Sequence, residues 1–189
     1  MYNGAIFDKL QDIFWTSESR GENRMGKKIS DNIGKAFNIE SMAAARNRAF
    51  AFQAQKEGRK DLARLFRAIA DAKSAQARRF LGHMKGKIGS TKENLSEALE
   101  NEKRALEDIY PGMAKEAEGA PWAVKKAFNQ TMKVSSRHLD LFRRVTETGD
   151  SEVEATLYVC RICGYISENE VPDNCPVCHA VKGRFAEVA

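Results

Sequence analysis

Cysteine is absent from the first 159 residues of this chain, so no disulfide framework can hold that part together. Proline is scarce, with four residues, which leaves room for long helices. Of the three histidines, His83 and His179 show no partner spacing that would read as a metal site. No apolar run approaches the roughly twenty residues of a membrane-spanning helix, and no secretory leader opens the chain, so a soluble cytoplasmic protein is expected. Aromatic residues are few and are not interleaved with the basic ones, so no stacking surface for nucleic acid is expected.

What is present is concentrated at the far end. All four cysteines fall in two C-x-x-C pairs, Tyr158-Val-Cys160-Arg-Ile-Cys163-Gly-Tyr165 and Asn174-Cys175-Pro-Val-Cys178-His179. Spacing within each pair lets both thiolates face one ion. A segment this short cannot bury enough apolar surface to offset the entropy of ordering it, and four thiolates on one metal supply the missing restraint. Disulfides are disfavoured because the rest of the chain reads as a cytosolic helical protein. A thioredoxin-type motif comes singly and opens a helix, unlike this pair of pairs. A tetrahedral set of four sulfurs suits zinc and iron equally, so both remain open on spacing alone.

Upstream, apolar residues recur at helical spacing in four long stretches. The first is capped by Ser30 or Asp31 and runs through Phe37, Ile39, Met42 and Phe50 to about Glu57, with Gly58 as its stop. The second starts near Lys60, carries Leu62, Leu65, Phe66, Ile69 and Phe80, and ends around Gly86 to Gly89. Ser90 and Glu93 form a capping-box pair for the third, which carries Leu95, Leu99, Leu106, Ile109, Tyr110 and Met113 and meets a kink at Pro111. The fourth runs from Trp122 to about Val145. Short links between helices of similar length predict an antiparallel four-helix bundle over residues 30–149, followed by a metal-stapled domain over 155–189.

Residues 1–29 form a segment of their own. Ala5 to Trp15 place Ile6, Phe7, Leu10, Ile13 and Phe14 on one helical face, while Thr16 to Lys28 read as a flexible polar linker. So short an amphipathic helix is marginal in isolation and needs a surface, either its own oligomer or a groove on a partner. Charge is uneven as well. Between Ser41 and Ser90 twelve basic residues face three acidic ones, a net charge of about +9, whereas the next helix holds Glu93, Glu97, Glu100, Glu102, Glu107 and Asp108. A solvated basic face balanced by this acidic helix accounts for the pattern better than nucleic-acid binding does.

The order of these parts, and the residues around the cysteines, resemble the rubrerythrin family, a ferritin-like four-helix bundle closed by a rubredoxin-like domain. Ala36-Phe37-Asn-Ile-Glu40-Ser41 is similar to that family's A-F-x-x-E-S, Ile109-Tyr110-Pro111 to its M-Y-P, and Gly89-Ser90-Thr91-Lys92-Glu93-Asn94-Leu95 to its G-S-T-x-E-N-L link. The resemblance implies one iron held by Cys160, Cys163, Cys175 and Cys178, with Gly164 turning the first knuckle and His179 standing where a smaller residue is usual, so that a looser second knuckle is expected.

It also implies a di-iron site built from carboxylates and two Glu-x-x-His pairs, which this chain does not match. Glu40, Glu102 and His138 occupy ligand positions, but Lys73 and Gln76 replace the second-helix pair, Ala105 replaces an additional carboxylate, and Ser135 replaces the glutamate before His138. No Glu-x-x-His occurs anywhere. An ammonium beside two cations would repel them, whereas it can neutralise Glu40 or Glu102 directly. The expectation is therefore a chain with no di-iron centre, Lys73 paired to a carboxylate, and an electron-transfer role through a single iron bound by the four cysteines, with a redox partner protein and a homodimeric bundle. The alternatives are an NAD(P)H-dependent peroxidase in oxidative-stress defence and a zinc-ribbon binding module.

Overall fold

The computed structural model describes residues 26–84, 86–148 and 155–188. The expected amphipathic helix at 5–15 lies outside them. The chain divides into two units, residues 1–90 and 91–189.

The first unit contains α1 (Lys27–Lys56) and α2 (Lys60–Gly82). α1 begins three residues before Ser30, behind Gly26, whose extended backbone takes the cap position without any side-chain cap. Glycine tolerates that position nearly as well as a capping side chain. At the other end Gly58 adopts φ +73. Its N–H donates to the Gln55 carbonyl at 3.2 Å and the Arg59 N–H to the Ala54 carbonyl at 2.8 Å, the paired bonds of a Schellman turn. That turn folds α2 back along α1. The seam is alanine: Ala44, Ala51 and Ala54 on α1, and Ala63, Ala70 and Ala77 at heptad spacing on α2, are all buried. Side chains reduced to methyls let the two backbones approach closely. Phe50 and Phe66 meet edge to face beside the seam, with 5.6 Å between ring centres, and Arg48 pairs with Asp71 at 2.8 Å.

The second unit opens with α3 (Thr91–Arg104), which passes through a π-helical turn, Ala105–Ile109, into α4 (Tyr110–Glu116). The kink expected at Pro111 is thus taken up one turn earlier. Proline has no N–H to offer and its ring crowds the carbonyl a turn before it, so the backbone widens and the Tyr110 N–H donates to Ala105 five residues back. After a short 3-10 turn, α5 (Trp122–Glu147) follows. The chain then forms a small antiparallel sheet in the order β2-β1-β3, with β1 (Leu157–Cys160) between β2 (Ile166–Glu168) and β3 (Phe185–Glu187). Tyr158 lies opposite Ser167 on one side and Glu187 on the other. The architecture is the mainly helical bundle sequence with a small β module at its end. Among the described residues no helix is long and apolar enough to cross a membrane.

Candidate metal centre

β1 delivers Cys160 to the end of the central strand, and two tight turns bring the other three cysteines to it. Cys160 and Cys175 are 1% and 0% exposed, the largest fully buried side chains described, while Cys163 and Cys178 are half-buried. All four sulfurs lie within 4.8 Å of one another, with Cys160–Cys178 at 3.7 Å and Cys163–Cys175 at 3.6 Å, and no disulfide forms. A tetrahedral ion with metal–sulfur bonds of about 2.3 Å requires sulfur–sulfur edges of about 3.8 Å. The quartet is therefore already set for one tetrahedral ion, iron or zinc.

The two halves of the site repeat one another. In the first, the Gly164 N–H donates to the Cys160 carbonyl at 2.8 Å and the Cys160 N–H to the Tyr165 carbonyl at 2.8 Å. In the second, the His179 N–H donates to the Cys175 carbonyl at 2.9 Å and the Cys175 N–H to the Ala180 carbonyl at 2.8 Å. Gly164 turns at φ +87 and His179 at φ +62. The second knuckle is not looser: histidine is among the side chains that enter the left-handed region more readily than most, and the turn closes as it does at glycine.

Among the thiols themselves, burial pushes Cys163 and Cys178 up. Burial acts the same way on Cys175, but N–H groups of Cys178 and Val177 aimed at its sulfur outweigh it and hold Cys175 below the ordinary thiol range. Backbone donors of this kind stabilise charge on sulfur, which suits a thiolate metal site.

The sheet and knuckles rest on α5. Val134 is 6% exposed and shares a buried cluster with Cys160, Cys175 and Val177, flanked by Tyr165 and Phe185. Gln130 donates to the Val177 carbonyl at 3.3 Å, and Arg137 donates to the Ile166 carbonyl at 3.0 Å and to Glu168 at 2.6 Å. His138 Nε2 donates to the Gly164 carbonyl at 3.2 Å. Arg144 also reaches Glu168; burial opposes ionisation there, but the Arg144 and Arg137 hydrogen bonds prevail and hold the Glu168 carboxyl below the usual range. Gln130, Val134 and Arg137 escape a reading of the sequence. Their one signal is the spacing i, i+4, i+7, i+8 completed by His138, a stripe mixing one apolar with three polar residues.

The remaining expected positions fall into two groups. In the first unit, Lys73 Nζ lies 2.8 Å from Glu40 Oε2 and donates to Gln76 Oε1 at 3.1 Å. In the second, Glu102 Oε1 lies 3.4 Å from His138 Nδ1, Ala105 opens the π turn, and Ser135 is buried on α5. His83 sits at the end of α2.

A helical chain ending in a four-cysteine knuckle module defines a class in which a bundle carries a mononuclear metal domain. Family profiles agree: one for rubrerythrin matches residues 31–146, and one for the rubrerythrin rubredoxin-like domain matches residues 158–186. This chain belongs to the rubrerythrin family. It is 33% identical over 172 residues to a rubrerythrin of Porphyromonas gingivalis, covering 81% of this chain and 86% of that protein. It is 30% identical over 176 residues to rubrerythrin-1 of Clostridium acetobutylicum, covering 81% and 90%. A solved structure of nigerythrin in a mixed-valence state aligns over 92% of both chains at 24% identity, with a TM-score of 0.49.

Proposed function

We propose that this protein is a one-electron carrier of the rubrerythrin family, working through iron held by Cys160, Cys163, Cys175 and Cys178, on a helical scaffold that has lost its di-iron centre. The observation that carries the reading is the ion pair of Lys73 with Glu40 at 2.8 Å. Where the family's second-helix ligands would stand, an ammonium already neutralises the carboxylate, and Gln76 accepts from that same ammonium. An ion arriving there would meet repulsion and one carboxylate already paired.

Four-thiolate iron, when bound, supplies a couple that changes by one electron, taken from a reduced partner protein and passed to an oxidised one. The chain's own part is to bury the Cys160 and Cys175 sulfurs, aim backbone N–H groups at those of Cys163 and Cys175, and keep the module fixed on α5. In this reading the domains are 30–149 for the bundle, acting as a homodimeric docking scaffold, and 155–189 for the carrier, in the cytoplasm. The helix expected over residues 5–15 is the candidate docking element, for the redox partner or for the protein's own oligomer.

Metal content per chain, measured on protein purified without oxygen alongside its visible spectrum, tests this. About one iron, a red reversibly reducible protein and no peroxide turnover when a reductase is supplied support the carrier. About three irons with peroxide turnover replace it by the peroxidase. A colourless protein with one zinc replaces it by a binding module.

A further inference from the structure

We propose that Gln130 and His138, two helical turns apart on α5, polarise the two knuckles of the four-cysteine centre, each through a single peptide unit, and so set the charge its sulfurs can bear. The carbonyl of Gly164 and the N–H of Tyr165 belong to one peptide. His138 donates to that carbonyl at 3.2 Å, and the Tyr165 N–H donates to the Cys163 sulfur. The carbonyl of Val177 and the N–H of Cys178 likewise belong to one peptide. Gln130 donates to that carbonyl at 3.3 Å, and the Cys178 N–H donates to the Cys175 sulfur. Two chains of the same form, side chain to carbonyl and amide to sulfur, thus end on one sulfur from each C-x-x-C pair.

Hydrogen bonds in series strengthen one another, by roughly 10–30% per bond in condensed phases. A donor on the carbonyl makes the amide at the other end of the peptide a better donor to sulfur. Between the two chains, Val134 lies at the midpoint of the stripe and packs in the buried cluster with Cys175, so the chain that ends on Cys175 meets no bulk water at its sulfur, while the one that ends on Cys163 reaches a half-buried sulfur. Arg137, bonded to the Ile166 carbonyl and to Glu168, holds the module at the separation the two donors need. Outer donors that tune a metal through its ligands are the general case, and here both come from a helix outside the cysteine module.

The charge on the sulfurs grows when the centre takes up an electron, so better amide donors favour the reduced state and raise the potential. That part rests on the proposed iron reading; the hydrogen-bond chains do not. The test uses the full-length protein in two metal forms. In the zinc form, His138→Leu is expected to move the Tyr165 amide proton upfield in the NMR spectrum and leave Cys178 in place, and Gln130→Met to do the reverse. In the iron form each variant lowers the midpoint potential, the double variant by about the sum of the two, since the residues are separate. His138→Gln, which keeps an N–H donor, recovers most of the shift. If amide positions and potentials stay where they are while the melting temperature falls, α5 is only a clamp and the proposal is wrong. Should His138→Leu fail to fold, Gln130→Met alone decides through Cys178. A protein that takes zinc and refuses iron removes the carrier reading, yet the amide shifts still decide this one.

Discussion

Two residues one step past a cysteine show how backbone geometry enters the energetics. Gly164 sits at φ +87, and a Cβ placed there meets only the Val134 Cγ1 at 3.7 Å, an ordinary contact. The cost of Gly164→Ala is therefore conformational, about 1–2 kcal/mol, and should appear as lost stability of the metal-loaded protein in denaturant. His179 takes a similar turn at φ +62 with a smaller penalty than alanine would bear, so His179→Gly should raise stability by up to about 1 kcal/mol, less what glycine gives back as freedom in the unfolded chain. The Lys73–Glu40 pair is a contact of another kind. Its side chains are 33% and 17% exposed, and among the described residues no hydrogen bond reaches the buried Glu40 Oε2, so the ammonium acts by charge rather than by a directed bond. Because solvent still reaches it, Lys73→Met should cost about 1 kcal/mol, and a double-mutant cycle with Glu40→Gln in urea measures how much of that is the pair itself. Both cysteine pairs and the pairing of Lys73 with a carboxylate were legible in the sequence, since each is a matter of which residue stands at which spacing. Gln130 was not, because its partner is a carbonyl 47 residues further on and leaves no periodic trace.

Among elements, the contact of α5 with β2 carries a testable pH dependence. Glu168 accepts from Arg137 and Arg144, and its carboxyl titrates below its unfolded value. Its ionised form thus contributes stability that is fully present above the ordinary glutamate range, about 4.3, and is lost as pH falls through the lower folded value. Protonation of the cysteines also releases metal in acid, so the comparison must be with Glu168→Gln. The difference in stability between the two proteins should be constant above about pH 5 and shrink below about pH 4. Helix number and order could be read from periodicity, and Pro111 announced a break in the third helix. The π turn at Ala105–Ile109 could not be read, because a widened turn keeps the composition of a helix and shifts only which carbonyl each N–H meets. The start of α1 at Lys27 was missed for a similar reason, as a glycine cap carries no side-chain signature.

For the molecule as a whole, the largest fully buried side chains among the described residues are Cys160 and Cys175, so the centre of the β module is built from its candidate metal ligands. Removing the metal should therefore unfold the β module and spare the helices. Apparent binding energies of roughly 10 kcal/mol or more at four-ligand sites are folding energy for such modules. Far-UV circular dichroism after chelation should keep its helical signal while limited proteolysis cuts beyond α5. The alanine seam of the first unit has the opposite character. Methyls repeating every seven residues along α2 look much the same when α2 slides by one repeat, so the seam says little about which alanine belongs opposite which. Alignment has to come from the ends and edges: the Schellman turn at Gly58, the Phe50–Phe66 contact and the Arg48–Asp71 pair. The three residues between α1 and α2 thus act as the index mark of the hairpin, and a chain with that turn lengthened would hold two helices still able to bind each other but no longer obliged to do so in one register.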